Sequence, residues 1–140
     1  MKIRKLKLSD IPELVELVKG EATIEDYPGE YSPKLFKQML EDKDTIVLVV
    51  EEDSKLIAFQ EIKIDKSQKR IYLETIIVSK EHRGKGIASK LMEEVEKLAR
   101  QKKFKRLAFI VRKWNKPMNS LAKKLGYTEK DELIFWDKEL

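Results

Sequence analysis

Two glycines and three cations stand close together in HRGKGIASKL, residues 82–91. The apolar run IYLETIIV precedes this stretch, and ASKLMEEVEKLA, a strong helix-forming run, begins two residues after its second glycine. At the start of a helix the first backbone N–H groups have no intrahelical partner, and the helix dipole adds about half a positive charge. Because glycine lets a ligand approach the backbone closely, the stretch predicts an anion-binding turn between a strand and a helix.

Two common phosphate-binding loops do not fit this stretch. A Walker A loop places lysine and then serine or threonine after its second glycine, whereas Ile87 and Ala88 follow Gly86. The dinucleotide-binding fingerprint is followed by an acid about 20 residues further on, where this chain has KKFKR. A third kind of anion site is therefore favoured.

A carboxylate inside the apolar run is the second candidate for chemistry. Glu74 lies four residues before Val78, and a charge in an apolar strand is costly unless it has a partner or a task. Two interpretations stay open: a general base, or an ion pair with a lysine across the sheet such as Lys63. Glu61, on the preceding strand-like run, is the weaker candidate for the base.

Composition limits the class of protein. The chain has 140 residues, 41% hydrophobic and 39% charged, which favours one compact domain. The absence of cysteine excludes disulfides and a thiol nucleophile, and we expect no metal site. The net charge of +5 favours anionic ligands. No segment approaches the roughly 18 apolar residues that span a bilayer, and the basic start lacks the apolar region of a signal peptide. We therefore expect a cytoplasmic protein that does not contact membranes.

The elements that position these residues follow from hydrophobic periodicity. A short strand at the start precedes a helix in SDIPELVELVKG, and Ser32-Pro33 begins a second helix that runs to Leu40. Three strand-like runs, TIVLVVE, KLIAFQEIKID and KRIYLETIIVS, follow with short polar turns between them. Such short connections favour an antiparallel meander.

The second half alternates helix and strand. The helix after Gly86 places Ile87, Leu91, Val95 and Leu98 on one face and leads into the strand RLAFIV, so the strands on either side of it are parallel neighbours. A last helix over residues 117–125 ends at Gly126, and ELIFWDKEL closes the chain as a strand. The fold class is α/β (α+β) in the order β-α-α-β-β-β-α-β-α-β. We expect a mixed, mostly antiparallel sheet of six or seven strands, with about four helices on both faces.

Three stretches together resemble one family. Arg83-x-x-Gly86-x-Ala88, after a strand ending in Ile-Ile-Val, resembles the acetyl-CoA-binding motif of the GNAT N-acetyltransferase superfamily. The opening IRKLKLSDIPELVEL is similar to that family's first strand and helix, and WNKPMNSLAKKLGYTE to its penultimate helix. The order of elements matches as well. The resemblance covers nearly the whole chain and implies a single GNAT domain over residues 1–140.

The resemblance implies acetyl-CoA as co-substrate, with no metal. Its pyrophosphate would lie on backbone amides of the glycine-containing turn, its pantetheine arm would pair with the strand before that turn as an extra strand, and its thioester would sit where the strands of Val78 and Val111 splay apart. The residues implied in cofactor binding are Ile76, Ile77, Val78, Arg83, Gly84, Lys85, Gly86, Ile87, Ala88, Ser89 and Asn115.

The implied reaction is direct transfer of an acetyl group to a primary amine, with Glu74 as the base. A backbone N–H near Ile77 or Val78 would stabilise the oxyanion. His82 occupies a position that usually holds a packing aromatic residue in the family, so we assign it no catalytic role. The family's tyrosine acid falls at Ala122, which cannot donate a proton. Two alternatives therefore stay open: the protein catalyses the transfer without this acid, or it is a catalytically silent CoA-binding module.

The loop GEATIEDYPGEY is where this fold usually shapes its acceptor site. It contains four acids and no cation, which favours a cationic acceptor: a polyamine, a lysine or a basic peptide. Glu25, Tyr27 and Tyr31 are the candidate substrate-binding residues; a solvated polar loop is the alternative. We expect a monomer or homodimer.

The run KLARQKKFKR, residues 97–106, holds six cations and no acid. It suits attraction of the cofactor's phosphates, a nucleic-acid-binding domain, or a helix end whose cations complement the dipole. Its aromatic residues are not interleaved as in a base-stacking platform, so we do not expect nucleic acid as the partner.

Overall fold

The computed structural model describes residues 1–21, 31–132 and 134–140. Its contacts divide the chain into two compact units, Met1–Ile110 and Val111–Leu140, and each is described by itself. The strands are β1 (Lys2–Lys5), β2 (Thr45–Glu52), β3 (Lys55–Asp65), β4 (Arg70–Val78) and β5 (Arg106–Ala108). The helices are α1 (Ile11–Glu21), α2 (Pro33–Glu41), α3 (Ile87–Gln101) and α4 (Lys116–Lys124).

The sheet of the first unit has the order β1-β2-β3-β4-β5. Neighbouring strands are antiparallel except β4 and β5, which are parallel because α3 crosses over between them. The predicted meander and the predicted parallel pair are both confirmed. The turn between β2 and β3 places Asp53 and Ser54 at positive φ (50° and 62°), the combination that two-residue hairpins of type I′ require.

Two apolar clusters cover the two faces of this sheet. The first, on the side of α1 and α2, includes the fully buried side chains Leu14, Phe36, Val49 and Phe59. The second, on the side of α3, includes Val50, Ala58 and Leu91. The buried residues of α3 are Ile87, Leu91, Met92, Val95 and Ala99. Of the predicted face of α3, Ile87, Leu91 and Val95 are buried and Leu98 is half-buried.

The sheet is smaller than the sequence predicted. The described residues form five strands rather than six or seven, and only Arg106–Ala108 of the run RLAFIV is a strand. The described part of ELIFWDKEL forms none, and Ile134, Phe135 and Trp136 are 76–85% exposed. Strand propensity measures how well a side chain packs on a pleated surface, so an apolar run without such a surface remains irregular.

One polar side chain lies inside the second face of the sheet. Gln60 on β3 is fully buried, and neither its amide nitrogen nor its amide oxygen has a hydrogen-bond partner in the described part of the chain. It lies opposite Ile76 of β4 in the ladder. Such a group destabilises a fold by about 1–3 kcal/mol.

The described residues contain neither a membrane-spanning helix nor a metal-binding cluster. No helix there is both long enough and apolar enough to cross a membrane. No group of histidine, aspartate and glutamate side chains there could hold a metal ion.

Candidate functional site

Residues 83–89, called here the glycine turn, connect β4 to α3. A short 3₁₀ turn, Lys80–His82, comes first, and Gly84 and Gly86 then adopt positive φ values of 75° and 80°. The first bond of the helical ladder runs from the N–H of Lys90 to the carbonyl of Gly86 (3.1 Å). The amides of residues 87–89 therefore precede the ladder, as an anion site at a helix N-terminus requires.

Backbone conformation, not crowding, explains the glycines. A Cβ added at Gly84 or Gly86 would meet no heavy atom within 4 Å, so space alone would admit a side chain. The left-handed conformation costs an L-residue about 1–2 kcal/mol, which glycine avoids. The open volume in front of both Cα atoms also leaves the backbone approachable.

Strand β4 has an edge that β5 does not cover. The parallel ladder ends at the pair Tyr72–Ala108, so no strand among the described residues pairs with this edge beyond Tyr72. The two strands thus part within β4. This is the kind of gap that an extended ligand could enter as an extra strand.

The backbone alternation decides which residues face that edge. Ser79 donates its N–H to the carbonyl of Ile57 on β3 (2.8 Å), so Ile77, two residues earlier, also directs its backbone groups to β3. Ile76 and Val78 direct theirs to the open edge. The carbonyl of Val78 accepts a hydrogen bond from Arg83 Nε (3.0 Å), which ties the glycine turn back to the strand.

A β-bulge places the candidate base. Glu61 pairs with Thr75 and Ile62 pairs with Leu73, so Glu74 is an extra residue on β4. Its side chain is exposed, and the premise that this carboxylate is buried in an apolar strand is wrong because the bulge turns it outward. Bulges redirect side chains in this way next to active sites.

The buried carboxylate is Glu61, whose side chain is 11% exposed. Burial raises the pKa of Glu61; the ammonium of Lys63 opposes this rise and the nearby negative charge of Glu74 adds to it. Lys63 Nζ lies 3.5 Å from a carboxylate oxygen of Glu61 and of Asp42, and 2.7 Å from Thr45 Oγ1. The ion pair that the sequence suggested between Glu74 and Lys63 is therefore made by Glu61.

Tyr31 joins this region from the segment before α2. Its hydroxyl lies 3.1 Å from Thr75 Oγ1, and its ring stacks on Phe36 (5.7 Å between centroids) and meets the edge of Phe59. Tyr31 is thus anchored in the first cluster beside the bulge. Glu25 and Tyr27 lie outside the described residues.

The second unit holds the remaining candidate. Asn115 Oδ1 accepts the N–H of Met118 (3.3 Å), which caps α4, and the side-chain amide of Asn119 donates to the carbonyls of Arg112 and Asn115. Asn115 therefore has a structural task within its own unit. The contact of Asn115 with a cofactor stays a prediction. The match of the half-buried Ala122 to the family's tyrosine position stays a prediction as well.

His82 is held between two side chains that the sequence gave no reason to connect. Its Nδ1 lies 2.6 Å from Ser79 Oγ, and its Nε2 lies 3.4 Å from a carboxylate oxygen of Glu52, the last residue of β2. Ser79 is near in sequence, but Glu52 is 30 residues away. Only the fold brings Glu52 to this ring.

The basic run lies at the opposite end of α3 from the glycine turn. The helix has 15 residues, or about 22 Å of rise, and ends at Gln101 within the run. Lys97 pairs with Glu94 (2.7 Å). At this distance direct contact with a pyrophosphate on the glycine turn is excluded, and the cations instead complement the negative end of the helix dipole.

Comparison with known proteins gives a consistent picture. Residues 11–127 match the family model described as acetyltransferase (GNAT) family. Thialysine N-epsilon-acetyltransferases of Bos taurus and Sus scrofa are 40% and 38% identical to this chain over 68 residues. That stretch is 49% of this chain and 40% of each relative, so the match spans less than half of those proteins.

Solved structures support the fold over the full length. An aminoglycoside N-acetyltransferase in complex with CoA superposes with a TM-score of 0.77 at 20% identity, covering 99% of this chain and 100% of that one. A ribosomal-protein-alanine N-acetyltransferase from Brucella melitensis superposes with a TM-score of 0.79 at 18% identity, covering 99% and 100%. At these identities the likeness concerns the fold alone.

Proposed function

The chain belongs to the GNAT acetyltransferase family, and we propose that it transfers an acetyl group from acetyl-CoA directly to a primary amine. One observation carries this proposal. The glycine turn, with its helix-start amides, follows directly on the edge of β4 that β5 leaves uncovered. A dianionic pyrophosphate joined to an extended, hydrogen-bonding arm suits these two neighbouring features.

The cofactor arrangement follows from the direction of the backbone groups. The pyrophosphate binds the amides of residues 83–89, with the exposed cations Arg83 and Lys85 adding positive charge. The pantetheine arm pairs with Ile76 and Val78, whose backbone groups point to the open edge. Ile77 contributes its side chain to the first cluster rather than its backbone to the ligand.

The reaction requires a neutral amine. An amine with a pKa near 10.4 is neutral in about one molecule in 2,500 at pH 7, so deprotonation costs roughly 4–5 kcal/mol. Glu74, exposed at the bulge, accepts this proton. The amine nitrogen then attacks the thioester carbon and gives up its surplus proton to water, the C–S bond breaks, and the thiolate leaves. With Ala122 in place of an acid, water protonates the thiolate, whose conjugate thiol has an ordinary pKa near 8.5.

The acceptor is a cationic amine in this proposal. Glu74, exposed at the bulge, carries the negative charge that attracts an ammonium group, whereas the charge of Glu61 is paired with Lys63. The relatives named for the ε-nitrogen of thialysine support an amine on a flexible side chain. Glu25, which lies outside the described residues, stays a predicted substrate-binding residue in this proposal.

The test is release of free thiol from acetyl-CoA with a panel of acceptors. We expect turnover with polyamines, lysine analogues or basic peptides, and little with neutral or anionic amines of similar size. Turnover of neutral amines alone would refute the cationic acceptor but keep the reaction.

A catalytically silent CoA-binding module is the second candidate, and Ala122 is the observation that favours it. It predicts CoA binding by calorimetry without thiol release from any amine in the panel. Binding together with turnover would eliminate it.

A further inference from the structure

His82 joins three parts of the first unit at the entrance to the glycine turn. Its Nδ1 contacts Ser79 Oγ (2.6 Å) and its Nε2 contacts Glu52 (3.4 Å). Its own N–H bonds to the carbonyl of Ser79 (2.9 Å), and the N–H of Ser79 is bonded to Ile57 of β3. The turn before the glycine turn is therefore fastened to the hairpin of β2 and β3 through one imidazole.

We propose that His82 and Glu52 are positioning residues for the cofactor: they hold the 80–82 turn, and with it the amides of the glycine turn, in the arrangement that binds the pyrophosphate. The inference rests on the proposed function. Neither residue needs to touch the ligand. Each acts by fixing the backbone that does.

The two charge states of the imidazole hold the turn with different strength. In the neutral ring one nitrogen carries the proton and the other accepts, so when Ser79 donates to Nδ1 the N–H lies on Nε2, the atom that faces Glu52. In the protonated ring both nitrogens carry a proton, and the contact between Nε2 and Glu52 becomes an ion pair. Protonation also places a positive charge one residue before Arg83, beside the anion site.

Other charges around the ring are screened. Flanking these contacts in sequence, Asp53, Lys55, Lys80, Glu81, Arg83 and Lys85 all have exposed side chains, and the carboxylate of Glu51, the other charged residue of β2, is paired with Arg4 (2.9 Å). Water weakens pairs between exposed charges, whereas the side chain of His82 is only 22% exposed where it meets Glu52, so that contact dominates. Because protonation of the imidazole strengthens its contact with Glu52, cofactor affinity should rise as the pH falls.

The experiment measures binding by calorimetry on the full chain between pH 5.5 and 8.5, with CoA and with dephospho-CoA. The second probe is needed because a phosphomonoester such as the 3′-phosphate of CoA itself titrates near pH 6. We expect dephospho-CoA to bind about three- to tenfold more tightly at pH 5.5 than at pH 7.5. His82→Gln should abolish this step, and Glu52→Gln should reduce it and weaken binding at the acid end.

Glu81→Gln is the matched control, since Glu81 lies in the same turn with an exposed side chain. It should behave as the wild type. A purely structural role for His82 would lower affinity equally at every pH, so a parallel pH profile in His82→Gln overturns the inference. An unchanged pH step in Glu52→Gln overturns it as well. Because Glu52→Gln alters only a half-exposed side chain, this variant still provides a test if His82→Gln fails to fold.

The two proposals fail in different ways. If dephospho-CoA binds without a pH step, the positioning role is refuted while the cofactor site stands, whether or not CoA itself shows one. If neither probe binds at any pH, the proposed function is refuted and this inference with it.

Discussion

Strand β4 is built differently at its end and in its middle. At its end, the glycine turn uses backbone amides from one contiguous stretch, held by two residues of positive φ. In its middle, the bulge at Glu74 gathers side chains from separate elements: Glu61 of β3, Thr75 of β4, and Tyr31 from before α2. The end is suited to binding and the middle to chemistry.

The difference lies in how much of the chain each region needs. The glycine turn depends on local conformation, so nearby residues are enough to specify it. The bulge exists only because β3 and β4 pair with a shift of one residue, and the pairing of two strands involves the whole sheet. Substitutions at each region should therefore separate binding from turnover.

The largest effect is expected for Gly86→Glu. Glutamate at this position would have to adopt the left-handed backbone conformation of Gly86, which is unfavourable for an L-residue. Its carboxylate would also lie at the start of the helix, where it would repel the pyrophosphate. We expect the Kd for CoA to rise by about 100-fold or more, measured by calorimetry.

Gly126→Glu is its matched control, because Gly126 also has a positive φ (88°) and open space around its Cα. If Gly86→Glu binds CoA as well as this control does, the pyrophosphate site lies elsewhere and the comparison collapses.

Glu74→Gln tests the other region. We expect kcat/KM for the amine to fall by about 10² while the Kd for CoA stays constant, because the amide cannot accept the proton. Glu93→Gln, on the exposed side of α3, is the surface control.

Parallel kinetics of Glu61→Gln decide between the two carboxylates. A larger loss in Glu61→Gln than in Glu74→Gln would assign the base to the buried residue. A loss below threefold in both would show that the bulge does not supply the base.

Gln60→Leu tests whether the buried amide of Gln60, which lies opposite Ile76 of β4, destabilises the folded protein. Removing two buried polar atoms that have no hydrogen-bond partner among the described residues should raise the free energy of unfolding by about 1–3 kcal/mol, measured by urea denaturation. Gln38→Leu on the exposed side of α2 should change it little. A loss of stability in Gln60→Leu would show that the amide does have a buried partner.

The smallest effect concerns Glu61 and pH. Because burial raises its pKa in the folded chain, the folded state holds more protons than the unfolded state between the ordinary value of 4.5 and the raised one. This carboxyl therefore lowers stability as the pH rises through that window. Glu61→Gln should remove that decline in urea titrations at pH 4 to 7, and identical pH slopes in both proteins would contradict it.

Sequence reasoning succeeded where the signal was local. Gly84 and Gly86 were predicted at the helix start and adopt the positive φ that explains them. Ser32 caps α2 by accepting the N–H of Leu35, as the Ser-Pro pair indicated. The parallel pairing of β4 with β5 followed from the intervening helix.

It failed where distant residues decide. Glu74 was ranked first because its strand reads as apolar, but the structure buries Glu61 and exposes Glu74. Alternation along a strand assumes perfect pairing, and one extra residue reverses the pattern on one side of the bulge. The closing run was predicted as a strand from its composition, although a strand also needs a partner.

The sequence by itself determined the family, the order of most elements and the glycine turn at the start of α3, because these depend on residues close together in the chain. Only the tertiary structure decided which carboxylate is buried, where the bulge falls, and that Glu52 meets His82. Those facts arise from strand register and from contacts across 30 residues, and no local pattern encodes them.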